Sequence, residues 1–267
     1  MSTHESIERV RHDVLRTIGR SGAAASGAAA ASRAASSPSG VAGDLLPRDI
    51  APLIDHTLLK PDAALRAIEA LCREAVEYAF ASVCVNPCWV STCAPLLRGS
   101  AVRVCTVAAF PLGASVSAVK VAEAGRAIAD GAREIDMVMN IGALKSQQLS
   151  LVADDIEAVV TVCRRHDVLS KVILETTLLS EDEKIAASVI AQACRADYVK
   201  TSTGFAGGAT VADVALMRAV VGDSMGVKAS GGIRDRRAVA ALVAAGASRI
   251  GTSSGVWMMQ NDGPWAP

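Results

Sequence analysis

Two lysines hold the most reactive potential in this chain. Lys200 ends the stretch Asp197-Tyr198-Val199-Lys200 and is followed at once by Thr201-Ser202-Thr203-Gly204-Phe205; Lys228 lies 28 positions on, in Gly226-Val227-Lys228-Ala229-Ser230-Gly231-Gly232. Each stretch reads as a short apolar strand that delivers an ammonium group into a glycine turn. Strands covered by helices on both faces are mostly Val, Ile and Leu, so a lysine at such a strand end lies at a rim, pairs with an acid or is used chemically. One such lysine alone is most simply solvated, its stem lying along apolar surface. The repeated pattern weakens that explanation. If the two strands are neighbours the lysines converge, and two ammonium groups in a partly dry pocket disfavour each other's charged form. One could then be a free amine near neutral pH, the nucleophile of Schiff-base chemistry on carbonyls.

The elements that must position these lysines are regular. From about residue 48, short apolar strands alternate with amphipathic segments, the pattern of a parallel α/β sheet. Strands are predicted to end near Asp55, Val85, Ala108, Val138, Glu175, Lys200, Ala229 and Gly251, with helices over 62–79, 87–97, 115–130, 148–166, 181–195, 210–221 and 235–245 and a short piece after 253. Eight strand-helix units in roughly 220 residues fit a closed (β/α)8 TIM barrel, usually about 250 residues long. An open doubly wound sheet fits less well, since no Gly-x-Gly-x-x-Gly follows the first strand. The predicted domains are a barrel over 48–267 and an N-terminal extension over 1–47. In the extension, Ile7, Val10, Val14, Leu15 and Ile18 mark a short amphipathic helix over 4–19, and the Ala/Ser/Gly-rich residues 20–43 read as a flexible linker.

A barrel of this kind carries its chemistry at the C-terminal ends of its strands. Asp55 and Thr57 fall there in the first strand, Asp136 in the fourth and Glu175 at the end of the fifth. Capping of the next helix would account for Asp55 or Thr57, and an ordinary rim position for Glu175. Asp136 is harder to dismiss: it interrupts the apolar Ile135-Asp136-Met137-Val138, and a carboxylate inside a barrel needs a cationic or hydrogen-bonded partner. The two lysines could supply it. Glycine turns follow the last three strands, at 204–208, 231–232 and 251–255. Such turns let backbone N–H groups approach an anion, which favours a phosphorylated substrate.

Composition excludes several alternatives. Lys plus Arg and Asp plus Glu each total 27, so net charge gives no reason to expect nucleic acid or an anionic membrane as partner. No apolar run approaches the roughly 20 residues needed to span a bilayer. Charged residues occupy the place of a secretory signal's apolar centre, and Glu5, Glu8 and Asp13 argue against a transit peptide. The seven cysteines include Cys84-x3-Cys88-x4-Cys93, without the Cys-x-x-Cys pairs and nearby histidines of a zinc site. They read as reduced thiols of a cytoplasmic protein.

From about Leu53 to Val256 the chain resembles the deoxyribose-phosphate aldolases. The resemblance rests on Ile54-Asp55-His56-Thr57-Leu58-Leu59-Lys60-Pro61, Ala81-Ser82-Val83-Cys84-Val85-Asn86-Pro87, Phe110-Pro111-Leu112-Gly113, Glu134-Ile135-Asp136-Met137-Val138, Lys200-Thr201-Ser202-Thr203-Gly204-Phe205, Lys228-Ala229-Ser230-Gly231-Gly232-Ile233-Arg234 and Arg249-Ile250-Gly251-Thr252-Ser253-Ser254. It implies reversible cleavage of 2-deoxy-D-ribose 5-phosphate to acetaldehyde and D-glyceraldehyde 3-phosphate, without metal or cofactor, in a homodimer or tetramer. It further implies Lys200 as Schiff-base nucleophile, Lys228 as the neighbour that lowers its pKa, and Asp136 in proton transfer with Lys228 and a water. Asp55, Thr57 and Cys84 are expected to line the substrate pocket, with Thr203, Gly204, Gly231, Gly232, Ser253 and Ser254 around the substrate and its phosphate. Some relatives carry a lysine where this chain has Phe205, so a phosphate contact from that side chain does not transfer.

Two competing readings differ in what they predict. A class I aldolase for another phosphosugar would be separated by a substrate panel, and a barrel that only binds a phosphorylated metabolite or a partner would form no borohydride-trappable adduct. After Val256 the tail Trp257 to Pro264 should stop the last helix early. The apolar surface this leaves needs a cover, for which the N-terminal helix is a candidate.

Overall fold

A computed structural model describes residues 2–19 and 45–261; the expected linker and the end of the tail lie outside the described residues. Eight parallel strands close into a barrel in chain order: β1 (Ile54–Leu58), β2 (Ser82–Val85), β3 (Arg103–Ala108), β4 (Glu134–Val138), β5 (Leu169–Ile173), β6 (Tyr198–Lys200), β7 (Gly226–Ser230) and β8 (Arg249–Thr252). After α1 (Thr3–Thr17), the main helices outside the barrel are α2 (Leu65–Glu77), α3 (Val90–Leu96), α4 (Ser117–Ala129), α5 (Leu149–Arg165), α6 (Glu181–Ala193), α7 (Val211–Val221), α8 (Arg236–Ala244) and α9 (Gly255–Gln260). Short helical turns at Pro47–Ile50 and Ile141–Lys145 were not expected.

Strand periodicity divides the side chains between two environments. Val83, Ile135, Met137, Val172, Val199, Val227 and Ile250 belong to the continuous apolar core under the helices. The alternate positions, including Asp55, Glu134, Asp136, Lys171, Lys200, Lys228 and Arg249, bring polar groups together inside the barrel. Each aliphatic side chain buried in the outer layer is worth roughly 1.5–3 kcal/mol. That layer carries the cost of the charged interior. Local signals start the helices: Ser180 and Glu183 form a capping box on α6, and Thr210 and Asp235 cap α7 and α8.

The N-terminal helix does not cover the short last helix. Its apolar stripe, Ile7, Val10 and Val14, is buried where α1 packs on α6 and, to a lesser extent, α5. Arg11 donates to Gln192 Oε1 at 2.9 Å and to the Val220 carbonyl at 2.6 Å, while Arg9 pairs with Asp182 at 2.8 Å. These polar anchors belong to the α6–α7 side of the barrel and fix the choice. Helix α9 buries Met258 instead and bonds Gln260 Nε2 to Tyr78 Oη at 2.7 Å. Gly255 makes this approach feasible, since a Cβ there would meet His56 Nδ1 and Phe80 at 3.1 Å.

Candidate active site

Strand register places the two lysines side by side: Lys200 is directly opposite Lys228, and Asp136 is directly opposite Lys171. Lys200 and Lys228 both donate to Asp136 Oδ2 at 2.7 Å. The other carboxylate oxygen, Oδ1, accepts from Lys171 Nζ at 2.8 Å and from Cys105 Sγ at 3.2 Å. Gly251 leaves space for this arrangement, because a Cβ there would lie 3.2 Å from Lys228 Cε.

These contacts belong to a closed ring of alternating charge. Lys228 pairs with Asp55 at 2.5 Å, Asp55 with Arg249, Arg249 with Glu134 at 2.8 Å, Glu134 with Lys171 at 2.6 Å and Lys171 with Asp136. All six are buried. Three carboxylates balance three cations, which leaves Lys200 as the surplus group of the cluster; the cluster is neutral when Lys200 carries no proton. Burial alone would raise Asp136, but Lys171, Lys200 and Lys228 outweigh it and hold the carboxyl well below the usual carboxylate range. Burial pushes Lys228 down, yet Asp136 and Asp55 prevail and raise it above an ordinary lysine. The raised pKa favours the charged form of Lys228, the form that its expected role beside Lys200 requires.

Above the ring opens a cavity of about 350 Å³. Of the predicted site residues, Lys200, Thr57, Thr203, Gly204, Gly231, Gly232, Ser253 and Ser254 line it. Asp55 and Cys84 do not: both are fully buried below, Asp55 within the ring and Cys84 beside Cys105. Asp136 and Lys228 likewise act from beneath. Lys60 and Arg234 also line the wall and no carboxylate does, so the cavity favours an anion. Backbone closeness shapes the same wall: Gly231, at φ +91°, sits where a Cβ would be 2.7 Å from the Gly207 carbonyl.

Sequence reasoning missed Lys171, Glu134 and Arg249 as parts of the site. Their signal was the one used for Asp136, a charged residue at an inward position of an apolar strand. Glu175 is no rim acid, for it is buried and bonded to Thr203. Two groups of potential metal ligands, Cys84/Cys105/Asp136 and Asp55/Cys105/Glu134, bring their ligand atoms within 4.8 Å. Their carboxylates already face the ring's ammonium and guanidinium groups, which compete with a metal cation.

A buried lysine that lines an anion-favouring cavity at the C-terminal end of a barrel is the arrangement of an imine-forming enzyme, the class to which the lysine-dependent aldolases belong. Comparison with known proteins narrows the class. Residues 50–261 match the family described as DeoC/LacD family aldolase. The chain is 60% identical over 204 residues to a deoxyribose-phosphate aldolase of Brevibacillus brevis, covering 76% of this chain and 91% of that one. It is 57% identical over 210 residues to deoxyribose-phosphate aldolase 1 of Bacillus licheniformis, covering 78% and 94%. The tetrameric deoxyribose phosphate aldolase structure from Aeropyrum pernix is similar at a TM-score of 0.75 and 33% identity, covering 80% of this chain and 91% of that one. This chain belongs to the DeoC/LacD aldolase family.

Proposed function

We propose that the protein reversibly cleaves 2-deoxy-D-ribose 5-phosphate to acetaldehyde and D-glyceraldehyde 3-phosphate through an imine on Lys200. The observation that carries this reading is that Lys200, alone among the charged residues of the buried cluster, also lines the cavity. Its uncharged amine attacks C1 of the open-chain aldehyde, and loss of water gives an iminium. Removal of the C3 hydroxyl proton then breaks the C2–C3 bond: C3 leaves as the aldehyde carbon of glyceraldehyde 3-phosphate, and the bonding pair passes to the nitrogen as an enamine. Protonation at C2 and hydrolysis release acetaldehyde and restore the lysine.

Lys228 and Asp136 play different parts in this scheme. Lys228, paired with both Asp55 and Asp136, stays in the ring beside the reacting nitrogen and does not attack the substrate itself. Asp136, held ionised by three lysines, orients both amines and works with Lys228 and a water in proton transfer. Lys60, Arg234 and the glycine turns receive the phosphate. Thr57 and the Ser253–Ser254 turn border the sugar. No step in the scheme calls for a metal or an organic cofactor.

Among the described residues no helix is long and apolar enough to cross a membrane, and none of the seven cysteines forms a disulfide. A cytoplasmic homo-oligomer, a dimer or the tetramer reported for the Aeropyrum pernix relative, completes the proposal. The test is a panel of phosphosugars assayed for aldehyde release in the presence of a chelator. Turnover of 2-deoxyribose 5-phosphate above the other sugars is expected. Preference for a different phosphosugar would replace the substrate, and no turnover of any would remove the proposal.

A further inference from the structure

We infer that Glu175 is a positioning residue for the loop that grips the substrate on the β6 side of the cavity. This rests on the reading of the cavity as a phosphosugar site. Glu175 follows β5 with φ 59° and ψ 61°, the left-handed region that residues with side chains seldom adopt. Strain of that kind persists where the surroundings demand it, commonly at functional sites. Its carboxylate is buried, and Oε2 accepts from both the backbone N–H and the hydroxyl of Thr203, the former at 3.2 Å. The second oxygen, Oε1, is buried without a hydrogen-bond partner among the described residues. A half-satisfied carboxylate is a costly thing to bury. What it gains is a fixed Thr203.

The loop is tied through that contact. Thr203 Oγ1 gives its only proton to Glu175 and accepts from the Phe205 backbone N–H at 3.1 Å, which folds Gly204 over. The turn after Glu175 backs the same loop: Thr176 N–H donates to the Thr201 carbonyl at 3.0 Å, and a Cβ on Gly207 would lie 2.1 Å from Thr177 Oγ1. Thr203, Gly204 and Phe205 all line the cavity. With its hydroxyl proton committed to Glu175, Thr203 holds the loop in shape and does not donate to the substrate through that hydroxyl. Glu175 thus sets the form of the wall without touching the reacting atoms, and its effect falls on substrate binding.

The test compares Glu175→Ala, Glu175→Gln and Thr203→Val with the parent enzyme. In Glu175→Ala, KM for 2-deoxyribose 5-phosphate should rise about 10-fold or more while kcat stays within about 3-fold. Borohydride trapping of acetaldehyde on Lys200, which needs no phosphate-side wall, should be unchanged. Glu175→Gln keeps an acceptor oxygen and should restore KM; Thr203→Val removes the donor and should reproduce the rise. Amide exchange over residues 203–208 should quicken in Glu175→Ala and Thr203→Val, a readout that stands whatever the substrate proves to be. Unchanged exchange and KM in Glu175→Ala would overturn the inference. So would a loss of kcat in Glu175→Gln, which would make the carboxylate an acid–base group. If Glu175→Ala does not fold, Thr203→Val decides by the same criteria. Failure of the parent enzyme to trap acetaldehyde would instead count against the imine mechanism.

Discussion

Lys200 and Lys228 donate to one and the same oxygen, Oδ2 of Asp136, each at 2.7 Å. The two groups are thereby made unequal. Lys228 has a second carboxylate, Asp55, at 2.5 Å, whereas Lys200 pairs with Asp136 and also lines the cavity. One lysine is kept as a charge, and the other is left to react.

Asp136→Asn should test the shared oxygen. Removing this charge leaves Lys171, Lys200 and Lys228 short of a counter-ion, and breaking a buried pair typically costs about 3–5 kcal/mol. A fall in kcat of at least about 100-fold is expected from a misplaced proton-transfer site, together with a lower unfolding temperature. Denaturant unfolding and steady-state kinetics would check both. A variant as stable and as fast as the parent would contradict the role given to Asp136.

Lys171 permits a sharper experiment because it links Asp136 to Glu134. Lys171→Met alone should destabilise the barrel by leaving the ring with one negative charge in excess and both Asp136 and Glu134 short of a partner. The double variant Lys171→Met/Glu134→Gln removes one charge of each sign, so much of the stability should return. Catalysis should stay impaired, by roughly 10-fold or more, since Asp136 Oδ1 still lacks its anchor. Recovery of kcat along with stability would show that Lys171 serves charge balance alone.

The ring and the site were legible in the sequence to different degrees. Alternating short strands and helices were enough for the barrel, and Lys200, Lys228 and Asp136 stood out because charges interrupt apolar strands. Asp55 was noticed, but its place under the cavity was not, because the guanidinium it pairs with comes from β8, nearly 200 residues away. Lys171 and Arg249 carry the same type of signal as Asp136, yet their partners depend on barrel closure and register. Glu175 looked like a rim acid because no local pattern announces a left-handed turn at a glutamate. The docking of α1 was hidden for a similar reason: its apolar stripe was plain, but its destination depends on Gln192 and the Val220 carbonyl.

Stability should fall with acid in two stages. His56 is buried and bonded to Glu74 at 2.7 Å; burial lowers its pKa below 6.5, and Glu74 only partly opposes this. The unfolded chain therefore takes up the proton first, so stability is full above about pH 6.5 and declines as pH drops through that value. The second stage reflects Asp136, whose pKa is depressed in the folded state: its contribution is present above about pH 4 and is lost below it. Urea titrations across pH should show both. In His56→Gln the first stage should disappear, and its persistence would assign it to another group.

Helix α1 should matter for stability and not for turnover. It buries Ile7, Val10 and Val14 but contributes nothing to the cavity wall. Deleting residues 1–19 should lower the melting temperature by roughly 4–8 °C, the effect of about 2 kcal/mol in a domain of this size, with kcat within about 2-fold of the parent. A large loss of kcat without a change in melting temperature would give the helix a role in the site.

The most direct test of the central claim is borohydride reduction in the presence of 2-deoxyribose 5-phosphate, followed by peptide mass mapping. The account predicts a single mass increase on the peptide that contains Lys200, and none in Lys200→Met. An adduct on Lys228 in the parent enzyme would reverse the roles of the two lysines; no adduct while the phosphosugar remains bound would contradict the imine mechanism.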